Sequence, residues 1–286
     1  MERYIEAIKQ AYPQLNIQTC RLNQNGQFNT VLQVNEALIF RFPKTRRELD
    51  TQQREVALLR DLQGKLPLPV PDPVYLSRDN APVGEWFMGY AMLPGEPLYP
   101  ALLHSLDEQT QQHLAEQLAR FLRQLHAYVP KEPAPEQQQF EQWHALYKRF
   151  QTKLYPFMRP DAREQVSKHF DAFLSKAHLY SYQPAFIHGD FGPGNILYNP
   201  ETRSISGIID FSSADRGDPA SDFAALLCSV SYGEAFLARF TSIYPEIETM
   251  LIRARFYAGT FALQEALYGL EDGDEQAFKN GIAAYR

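Results

Sequence analysis

The chain has 286 residues, a hydrophobic fraction of 44% and a formal net charge of −6. Its length is sufficient for a substantial core, and its acidic balance disfavours nucleic acid as a partner, because phosphate backbones need a basic surface. No apolar run approaches the roughly 20 residues that span a bilayer, and the N-terminus lacks a secretory segment. We therefore expect a cytoplasmic protein without membrane contact, and a monomer. The two cysteines, Cys20 and Cys228, are too few for a zinc site or a disulfide framework and predict free thiols.

The amino-terminal part of the chain predicts one short helix followed by strands. Apolar spacing predicts the helix over Glu2–Tyr12. The predicted strands are Thr19–Leu22, Thr30–Val34 and Ala37–Phe42. Between the first two strands lies a polar turn around Gly26.

The third predicted strand has two chemically different faces. Strict alternation sets Ile39 and Arg41 on one face, and Leu38, Phe40 and Phe42 on the other. The basic side chain of Arg41 therefore lies on the same face of the strand as the apolar side chain of Ile39.

Helical and extended segments follow. Residues Leu49–Leu62 have helical apolar spacing and include Glu55, and Glu85–Leu93 predicts a strand that ends at Pro94-Gly95. A long apolar stripe then predicts a central helix that ends at His126, which we interpret as a structural residue. The stripe consists of Leu114, Leu118, Phe121, Leu122 and Leu125.

The most informative motif begins at His188. It reads His-Gly-Asp-Phe-Gly-Pro-Gly-Asn, so that Asp190 is followed by Asn195 after four intervening residues, and Gly-Ile-Ile-Asp-Phe then brings Asp210 fifteen residues later. A catalytic loop of the protein-kinase type has the same gap between Asp and Asn, followed by a metal-holding Asp. The motif predicts Asp190 as the group that accepts or orients a hydroxyl, and Asn195 and Asp210 as ligands of Mg2+.

The residues around this motif explain how its parts can meet. Two predicted strands, Asn195–Tyr198 and Ile205–Ile209, flank a polar turn. Such a hairpin carries Asn195 at its start and Asp210 just beyond its end, so both reach one metal. The ring of His188 is placed to hydrogen-bond the backbone of the loop.

Charge is distributed unevenly along the chain. From Ser181 onward there are fourteen acidic and seven basic residues. An acidic second half suits a cationic substrate, although exposed helices are also commonly acidic.

The motif, together with segments along nearly the whole chain, resembles the aminoglycoside phosphotransferase family and is most similar to its 2''-phosphotransferase branch. The other segments are Leu38–Lys44, Glu55–Leu59, Leu66–Pro71, Phe121–His126 and Asp218–Phe223. The resemblance implies an α+β, bilobal protein-kinase-like fold with an N-terminal antiparallel-sheet lobe and a mainly helical C-terminal lobe. It places the nucleotide-binding lobe at residues 1–93 and the catalytic and substrate-binding lobe at residues 94–286.

The resemblance also implies residues that hold ATP or GTP. A kinase-like fold has a phosphate-binding Lys at the position of Arg41, so we expect Arg41 in that role, with Lys44 as the alternative. Glu55 is implied as the partner that holds this basic residue, and Ile39 lies near the nucleobase. These residues would secure the nucleotide while Mg2+ holds its phosphates.

Further nucleotide contacts are implied by the strand Glu85–Leu93. Its end corresponds to the hinge between lobes, where backbone groups from Ala91 to Leu93 contact the nucleobase and Tyr90 narrows the rear of the pocket. The turn at Gly26 offers backbone N–H groups to phosphates, or is simply a hairpin turn.

The acceptor side of the site is less well defined by sequence. The segment Leu227–Glu234 is nearly uncharged until Glu234, whereas the 2''-branch tends to be acidic there. We expect Glu234, Glu265 and Tyr268 to contact a cationic small molecule together with Asp190. An aminoglycoside acceptor is the main expectation, and the alternatives are another small alcohol (a macrolide, homoserine or choline) or a catalytically silent nucleotide-binding protein.

Two further aspartates are assigned structural roles. Asp218 is suited to capping the helix that follows it, and Asp222 to bracing the catalytic loop.

Overall fold

The computed structural model describes residues 1–23, 28–78, 80–130, 139–180, 182–228 and 231–286. These residues form two compact units. Unit 1 comprises Met1–Leu125 with Pro193–Ala214, and unit 2 comprises His126–Gly192 with Asp215–Arg286. The functional division into residues 1–93 and 94–286 stays a prediction.

The strands and helices of the described residues are named in chain order. The strands are β1 Cys20–Asn23, β2 Asn29–Val34, β3 Leu38–Pro43, β4 Tyr75–Leu76, β5 Met88–Ala91, β6 Glu96–Pro97, β7 Ala185–Ile187, β8 Ile196–Asn199, β9 Ser204–Ile208 and β10 Asp215–Gly217. The helices are α1 Glu2–Ala11, α2 Arg46–Leu62, α3 Pro100–Ser105, α4 Glu108–His126, α5 Gln139–Arg149, α6 Pro160–Leu174, α7 Ala220–Leu227, α8 Glu234–Leu237, α9 Ile247–Ala258, α10 Phe261–Asp272 and α11 Glu275–Ile282. Short 3-10 or π turns lie at Phe150–Leu154, Tyr155–Phe157, Ala177–Tyr180, Pro193–Asn195, Ala238–Phe240 and Ala283–Tyr285.

Unit 1 is built on a five-stranded antiparallel sheet in the order β1-β2-β3-β5-β4. The predicted antiparallel sheet is confirmed, and its first three strands differ from the prediction by one residue at their ends. The predicted strand Glu85–Leu93 is shorter, because the backbone N–H groups of Glu85 and Trp86 bond to the carbonyl of Pro82 in a turn instead.

One face of this sheet packs against α1. Tyr4 and Ile8, four positions apart on one helix face, join Phe40, Phe42 and Phe87 in a single buried cluster. Each of these side chains, once fully buried, stabilises the fold by about 1.5–3 kcal/mol. The alternation predicted for β3 therefore directs Phe40 and Phe42 into a core and leaves Arg41 on the opposite face.

Helix α2 brings a carboxylate toward that opposite face. Thr45 caps it by accepting from the N–H of Glu48 at 3.5 Å, and its apolar stripe ends at buried Leu59 and Leu62. Glu55 lies on the same buried side of the helix and is 2% exposed. A buried carboxylate needs a partner, which the functional site supplies.

The long helix α4 and the hairpin β8–β9 complete unit 1. The predicted apolar stripe of α4 is confirmed, because all five of its residues are fully buried. The predicted hairpin is also confirmed: β8 pairs with β9 in antiparallel register, and β6 pairs with β8 on the other side. The N–H of Ile205 donates to Gln117 of α4 at 2.9 Å, which fixes the hairpin to the helix.

Unit 2 is mainly helical and has an aromatic core. Phe173 stacks on Phe256 with ring centroids 3.6 Å apart, and Trp143 stacks on Tyr257 at 4.8 Å. These contacts tie α5 and α6 to α9. The small two-stranded pairing of β7 with β10 is the only sheet among the described residues of this unit.

A buried ion pair fixes the start of α7. The N-cap residue of α7 is Pro219 rather than the predicted Asp218, but Asp218 does accept from the N–H of Ala220, the first residue of the helix, at 3.0 Å. Asp218 also accepts two hydrogen bonds from Arg253 at 2.6 and 3.0 Å and one from the hydroxyl of Tyr257 at 2.7 Å. The turn before α7 is thereby bound to α9.

The structure bears on the two cysteines and on the length and polarity of the helices. Cys20 and Cys228 are both free and half-buried. Within the residues described, the helices are all too short or too polar to cross a bilayer.

The packing of α10 on α11 generates a stability prediction at Gly281. A Cβ at this buried glycine would meet the carbonyl oxygen of Ala262 and, at 2.9 Å, the side chain of Ala266. Gly281→Ala removes a poor helix former, which alone stabilises by about 1 kcal/mol, but overpacking against a neighbouring helix costs more. We expect the free energy of unfolding, measured by urea denaturation, to fall by about 1–3 kcal/mol.

The adjacent exposed position supplies the control. Asn280→Ala on the same helix should change the free energy of unfolding by no more than about 0.5 kcal/mol. A Gly281→Ala protein as stable as wild type would show that α10 and α11 have room to separate.

Candidate functional site

Arg41 and Glu55 form a buried ion pair in unit 1. The Nη1 of Arg41 donates to Oε1 of Glu55 at 2.8 Å, and their side chains are 7% and 1% exposed. Strand β3 positions the arginine and α2 positions the carboxylate. The pairing expected between these two residues is therefore present in the fold.

The same guanidinium reaches a second carboxylate. The Nη2 of Arg41 donates to Oδ1 of Asp210 at 3.1 Å, and the N–H of Phe211 donates to Oε1 of Glu55 at 3.1 Å. Asp210 has φ of +63°, a left-handed conformation that Asp tolerates better than most residues. Arg41, Glu55 and the 210–211 corner thus close a ring of polar contacts.

These groups alter one another's protonation. Burial alone would lower the pKa of Arg41, but the carboxylates of Glu55 and Asp210 outweigh it and raise the pKa. Burial raises the pKa of Glu55, opposed by Arg41. Burial also raises the pKa of the neighbouring Tyr90 hydroxyl to about 12. Arg41 is consequently a fixed positive charge in this ring at all physiological pH values.

Asn195 and Ile209, the residue before Asp210, are hydrogen-bonded neighbours in unit 1. The N–H of Ile209 donates to the backbone carbonyl of Asn195 at 3.0 Å, directly before Asp210 and at the end of the β8–β9 ladder. The side chain of Asp210 is 39% exposed and so accessible to a cation. Among the described residues no group of three or more His, Cys, Asp and Glu gathers as a metal cage.

This donor set fits Mg2+ rather than a transition metal. One amide and one carboxylate offer hard oxygen ligands, and Mg2+ usually combines one or two carboxylates with waters and substrate phosphates.

The other predicted nucleotide residues are distributed around β3 and β5. Ile39 pairs with Tyr90 across the two strands, and Ala91 pairs with Leu38. Leu93 is half-buried. A Cβ on Gly207 would lie 2.5 Å from the end of the Leu93 side chain, so Leu93 packs closely over the hairpin at this glycine.

Two other residues, Lys44 and Gly26, were predicted to contact the phosphates. Lys44 is exposed at the end of β3, where its N–H donates to the carbonyl of Phe28 at 3.0 Å. The ring of contacts around Glu55 contains Arg41, which favours Arg41 over Lys44 as the phosphate residue. Gly26 lies outside the described residues.

The first part of the predicted catalytic loop, His188–Gly192, belongs to unit 2, where Asp222 braces it. The N–H groups of His188 and Gly189 each donate to Asp222 at 2.9 Å, and Gly189 has φ of +79°, which favours glycine. The N–H of Asp190 donates to Nδ1 of His188 at 3.3 Å, so the expected bond between this ring and the loop is present. The carboxylate of Asp190 belongs to an exposed residue at the tip of this braced turn.

His126 is the member of this assembly whose partners sequence reasoning missed. Its Nε2 lies 3.0 Å from Oδ2 of Asp222, and its Nδ1 lies 3.0 Å from the hydroxyl of Tyr244. The sequence predicted a structural role, but no local signal links His126 to a residue 96 positions away. Burial by itself raises the pKa of Asp222, yet the bonds and charges of His126 and His188 outweigh it and lower the pKa.

The predicted acceptor-side residues occupy helices of unit 2. Glu234 is paired with Arg255, whose Nε and Nη2 donate to it at 2.7 and 3.1 Å. Glu265 is exposed on α10 and Tyr268, three positions further on the same helix, is half-buried. Spacing of three residues sets the last two side chains on one helix face.

Other carboxylates that could serve there have structural partners. Glu271 is paired with Arg149 and Lys153, the latter at 2.7 Å. Asp274 caps α11 by accepting from the N–H groups of Gln276 and Ala277 at 3.0 Å.

Comparison with known proteins yields a family match and close structural relatives. The model of the phosphotransferase enzyme family matches residues 19–255. Viomycin phosphotransferase of Streptomyces vinaceus is 30% identical over 278 residues, which cover 91% of each chain.

Among solved structures, the GDP and kanamycin complex of APH(2'')-IIIa is similar with a TM-score of 0.90 and 25% identity, covering 99% of this chain and 97% of that one. The ADP-bound aminoglycoside phosphotransferase APH(2'')-Ib is similar with a TM-score of 0.78 and 23% identity, covering 98% and 95%. The predicted kinase-like fold class is thereby confirmed.

The position of Asp222 generates a prediction with a defined pH dependence. In Asp222→Asn, one side-chain atom becomes an N–H donor facing a backbone N–H, so hydrogen bonds to a charged group are lost. We expect a loss of about 2 kcal/mol in the free energy of unfolding at pH 7. Because the folded pKa is lowered, the carboxylate's contribution is complete above its ordinary pKa of about 3.9 and disappears as pH falls through the lowered value.

Urea denaturation of both proteins at pH 7 and below pH 4 measures this. The stability gap between wild type and Asp222→Asn should narrow at the lower pH. A gap that is equal at both pH values would mean that the charge of Asp222 does not stabilise the folded loop.

Proposed function

The chain belongs to the phosphotransferase enzyme family, and we propose that it is a nucleotide- and Mg2+-dependent O-phosphotransferase acting on a hydroxyl group of a small cationic antibiotic, first of all an aminoglycoside (2''-type). The observation that carries this proposal is the buried Arg41–Glu55 pair bonded directly to Asp210. A cation aligned with an exposed carboxylate and a nearby amide suits the binding of triphosphate with its metal.

The proposed reaction is an in-line displacement at the γ-phosphorus of ATP or GTP. The oxygen of the acceptor hydroxyl forms a bond to phosphorus while the bond between phosphorus and the β–γ bridging oxygen breaks. The hydroxyl proton passes to the carboxylate of Asp190, and the nucleoside diphosphate leaves with the bond electrons. Asp190 orients the hydroxyl for attack because its loop is braced through Asp222.

Asn195 and Asp210 are the residues that would hold Mg2+. When bound, this ion neutralises charge on the phosphate oxygens. Arg41, kept in position by Glu55, contacts the phosphates, with Lys44 as the second choice. The proposal assigns Ile39, Ala91 and Leu93 to the nucleobase and Gly26 to the phosphates.

We propose ATP or GTP as the phosphate donor. The GDP in the APH(2'')-IIIa complex supports testing GTP beside ATP. The bulky Tyr90, buried next to Arg41, supports a narrowed pocket behind the nucleobase.

The proposed acceptor site uses Glu265, Tyr268 and Glu234 with Asp190. The excess of acidic residues after Ser181 supports a cationic acceptor. Glu234 would first have to exchange its partner Arg255, whereas Glu265 is an exposed carboxylate on α10. We also propose that the enzyme acts in the cytoplasm, because cytoplasm supplies nucleoside triphosphates, and that it acts as a monomer.

A second acceptor is favoured by a specific observation. Viomycin phosphotransferase shares 30% identity with this chain over nearly its full length, more than the aminoglycoside enzyme of known structure. Viomycin is therefore the alternative substrate that we propose after an aminoglycoside.

The acceptor panel tests the proposed function. Purified protein with Mg2+ and either ATP or GTP is given kanamycin, viomycin, a macrolide, homoserine or choline, and release of nucleoside diphosphate is measured. We expect kanamycin to raise release well above the acceptor-free rate, with mass spectrometry showing one added phosphate on the acceptor. Turnover with viomycin alone would replace the aminoglycoside, and turnover with homoserine or choline would remove the antibiotic assignment.

A silent panel has a clear interpretation. If nucleotide binds with Mg2+ and none of the five acceptors is phosphorylated, the proposed antibiotic substrates are wrong, and a nucleotide-binding role is favoured instead.

The role of Asp190 is tested by Asp190→Ala. Removal of a positioned acid–base group should lower kcat by about 10²-fold or more, while KM for nucleotide changes little. Steady-state kinetics with the best acceptor measures this, and Asp171→Asn, an exposed carboxylate on α6, serves as the control that keeps wild-type kinetics. Full turnover by Asp190→Ala would refute the base and orienting role.

A further inference from the structure

Arg41 is shared between two carboxylates that have different surroundings. Its Nη1 bonds to Glu55, which is 1% exposed, and its Nη2 bonds to Asp210, which is 39% exposed. A guanidinium can do this because its N–H groups project in a rigid planar fork, whereas the ammonium of lysine is a single point of charge. The arginine at this position therefore creates a contact that its lysine counterpart does not hold in fixed geometry.

The carboxylate of Glu55 is used asymmetrically. Its Oε1 accepts from both Arg41 and the N–H of Phe211, at 2.8 and 3.1 Å. Its Oε2 is buried and accepts no hydrogen bond from the described residues. A buried acceptor without a donor is unfavourable, so this oxygen is a ready acceptor for a further N–H.

Oε2 of Glu55 is an acceptor without a donor, and Nη2 of Arg41 is a donor that could reach it. Arginine and carboxylate groups commonly pair through two parallel hydrogen bonds. If Nη2 leaves Asp210 and turns to Oε2 of Glu55, the buried pair becomes bidentate and the orphaned oxygen is satisfied. The carboxylate of Asp210 then loses its cationic partner.

We propose that Arg41 is a positioning residue with two arrangements, one bridging Glu55 and Asp210 and the other bidentate on Glu55. In the bridging arrangement Arg41 occupies the Asp210 oxygen and competes with a divalent cation. In the bidentate arrangement Asp210 is released to the cation, and the positive charge of Arg41 faces the nucleotide phosphates. This inference rests on the proposed metal-binding role of Asp210.

The exchange couples the two ligands. Nucleotide phosphates draw the guanidinium away from Asp210, so bound nucleotide should strengthen cation binding, and by linkage a bound cation should strengthen nucleotide binding equally. The exposed Asp210 can change partners while the buried Glu55 keeps the cation that its burial requires. In the absence of nucleotide, Arg41 thus limits binding of the metal alone.

The test measures metal affinity in the absence of nucleotide, independent of turnover. Binding of Mn2+ as the probe is followed through its free-ion paramagnetic resonance signal in wild type, Arg41→Lys and Glu55→Gln. Arg41→Lys removes the bridge and should bind Mn2+ about tenfold more tightly than wild type, within the usual range of coupling between sites. Glu55→Gln removes the alternative partner, leaves Arg41 on Asp210, and should bind Mn2+ more weakly than wild type.

The opposite directions separate this switch from a merely structural role. General loosening of the site would weaken Mn2+ binding in both variants, and equal or weaker binding by Arg41→Lys would overturn the proposal. The gain must vanish in Arg41→Lys combined with Asp210→Asn, because it depends on that carboxylate. Arg21→Lys is the control, because Arg21 lies on the same sheet and pairs with Glu36 at an exposed position. This variant should bind Mn2+ like wild type.

Folding and function are separated by two further readouts. Circular dichroism melting curves establish whether each variant is folded. If Arg41→Lys does not fold, the comparison of Glu55→Gln with wild type still tests the proposal. Failure of the acceptor panel with the expected Mn2+ pattern would reject the proposed phosphoryl transfer and retain the switch. Absence of Mn2+ binding that depends on Asp210 would reject the switch whatever the panel shows.

Discussion

The buried pair of Arg41 and Glu55 is the interaction on which the proposed site depends. Taking two charges out of water is costly, and their attraction compensates only when geometry is good and further hydrogen bonds are made. The sheet holds one partner and α2 the other, and the N–H of Phe211 adds a third contact. Glu55 binds both Arg41 of β3 and the N–H of Phe211, and Arg41 in turn binds Asp210, which lies 169 positions further along the chain.

The charge balance of this ring explains the exposure of its members. One guanidinium faces two carboxylates, so the ring carries an excess negative charge that a dry interior would not tolerate. Glu55 is buried beside the cation, while Asp210 remains partly exposed, where water and a bound cation can compensate it. This excess negative charge is consistent with the proposed binding of a metal ion together with nucleotide phosphate.

Asp222 plays a corresponding part in the other unit. It is a fully buried carboxylate whose acceptor capacity is taken up by two backbone N–H groups and the ring of His126. A carboxylate accepts several hydrogen bonds at once. One carboxylate can therefore hold a tight loop in a conformation that the sequence of the loop does not enforce. The loop that begins at His188 and the corner at residues 210–211 are thus both held by acidic residues, Asp222 and Glu55, that have no contact with the reacting groups in the proposed reaction.

The parts of this architecture that sequence could predict are those that depend on local periodicity or fixed spacing. Strand alternation correctly separated Phe40 and Phe42 from Arg41, and the turn between β8 and β9 placed Asn195 near Asp210. Contacts between distant segments could not be predicted from the sequence. No periodicity indicates that Arg41 bonds to Asp210 or that His126 bonds to Tyr244.

Acceptor recognition was the least predictable for the same reason. The sequence counts carboxylates after Ser181 but does not reveal that Arg255 lies on Glu234, or that Arg149 and Lys153 lie on Glu271. Paired carboxylates offer less negative potential to a cationic ligand than their number suggests, and the exposed Glu265 has no pairing cation among the described residues. In the proposed reaction, acceptor selectivity would therefore depend on which acidic groups the chain's own basic residues leave available. That is a property of helix packing in unit 2 rather than of acidic content.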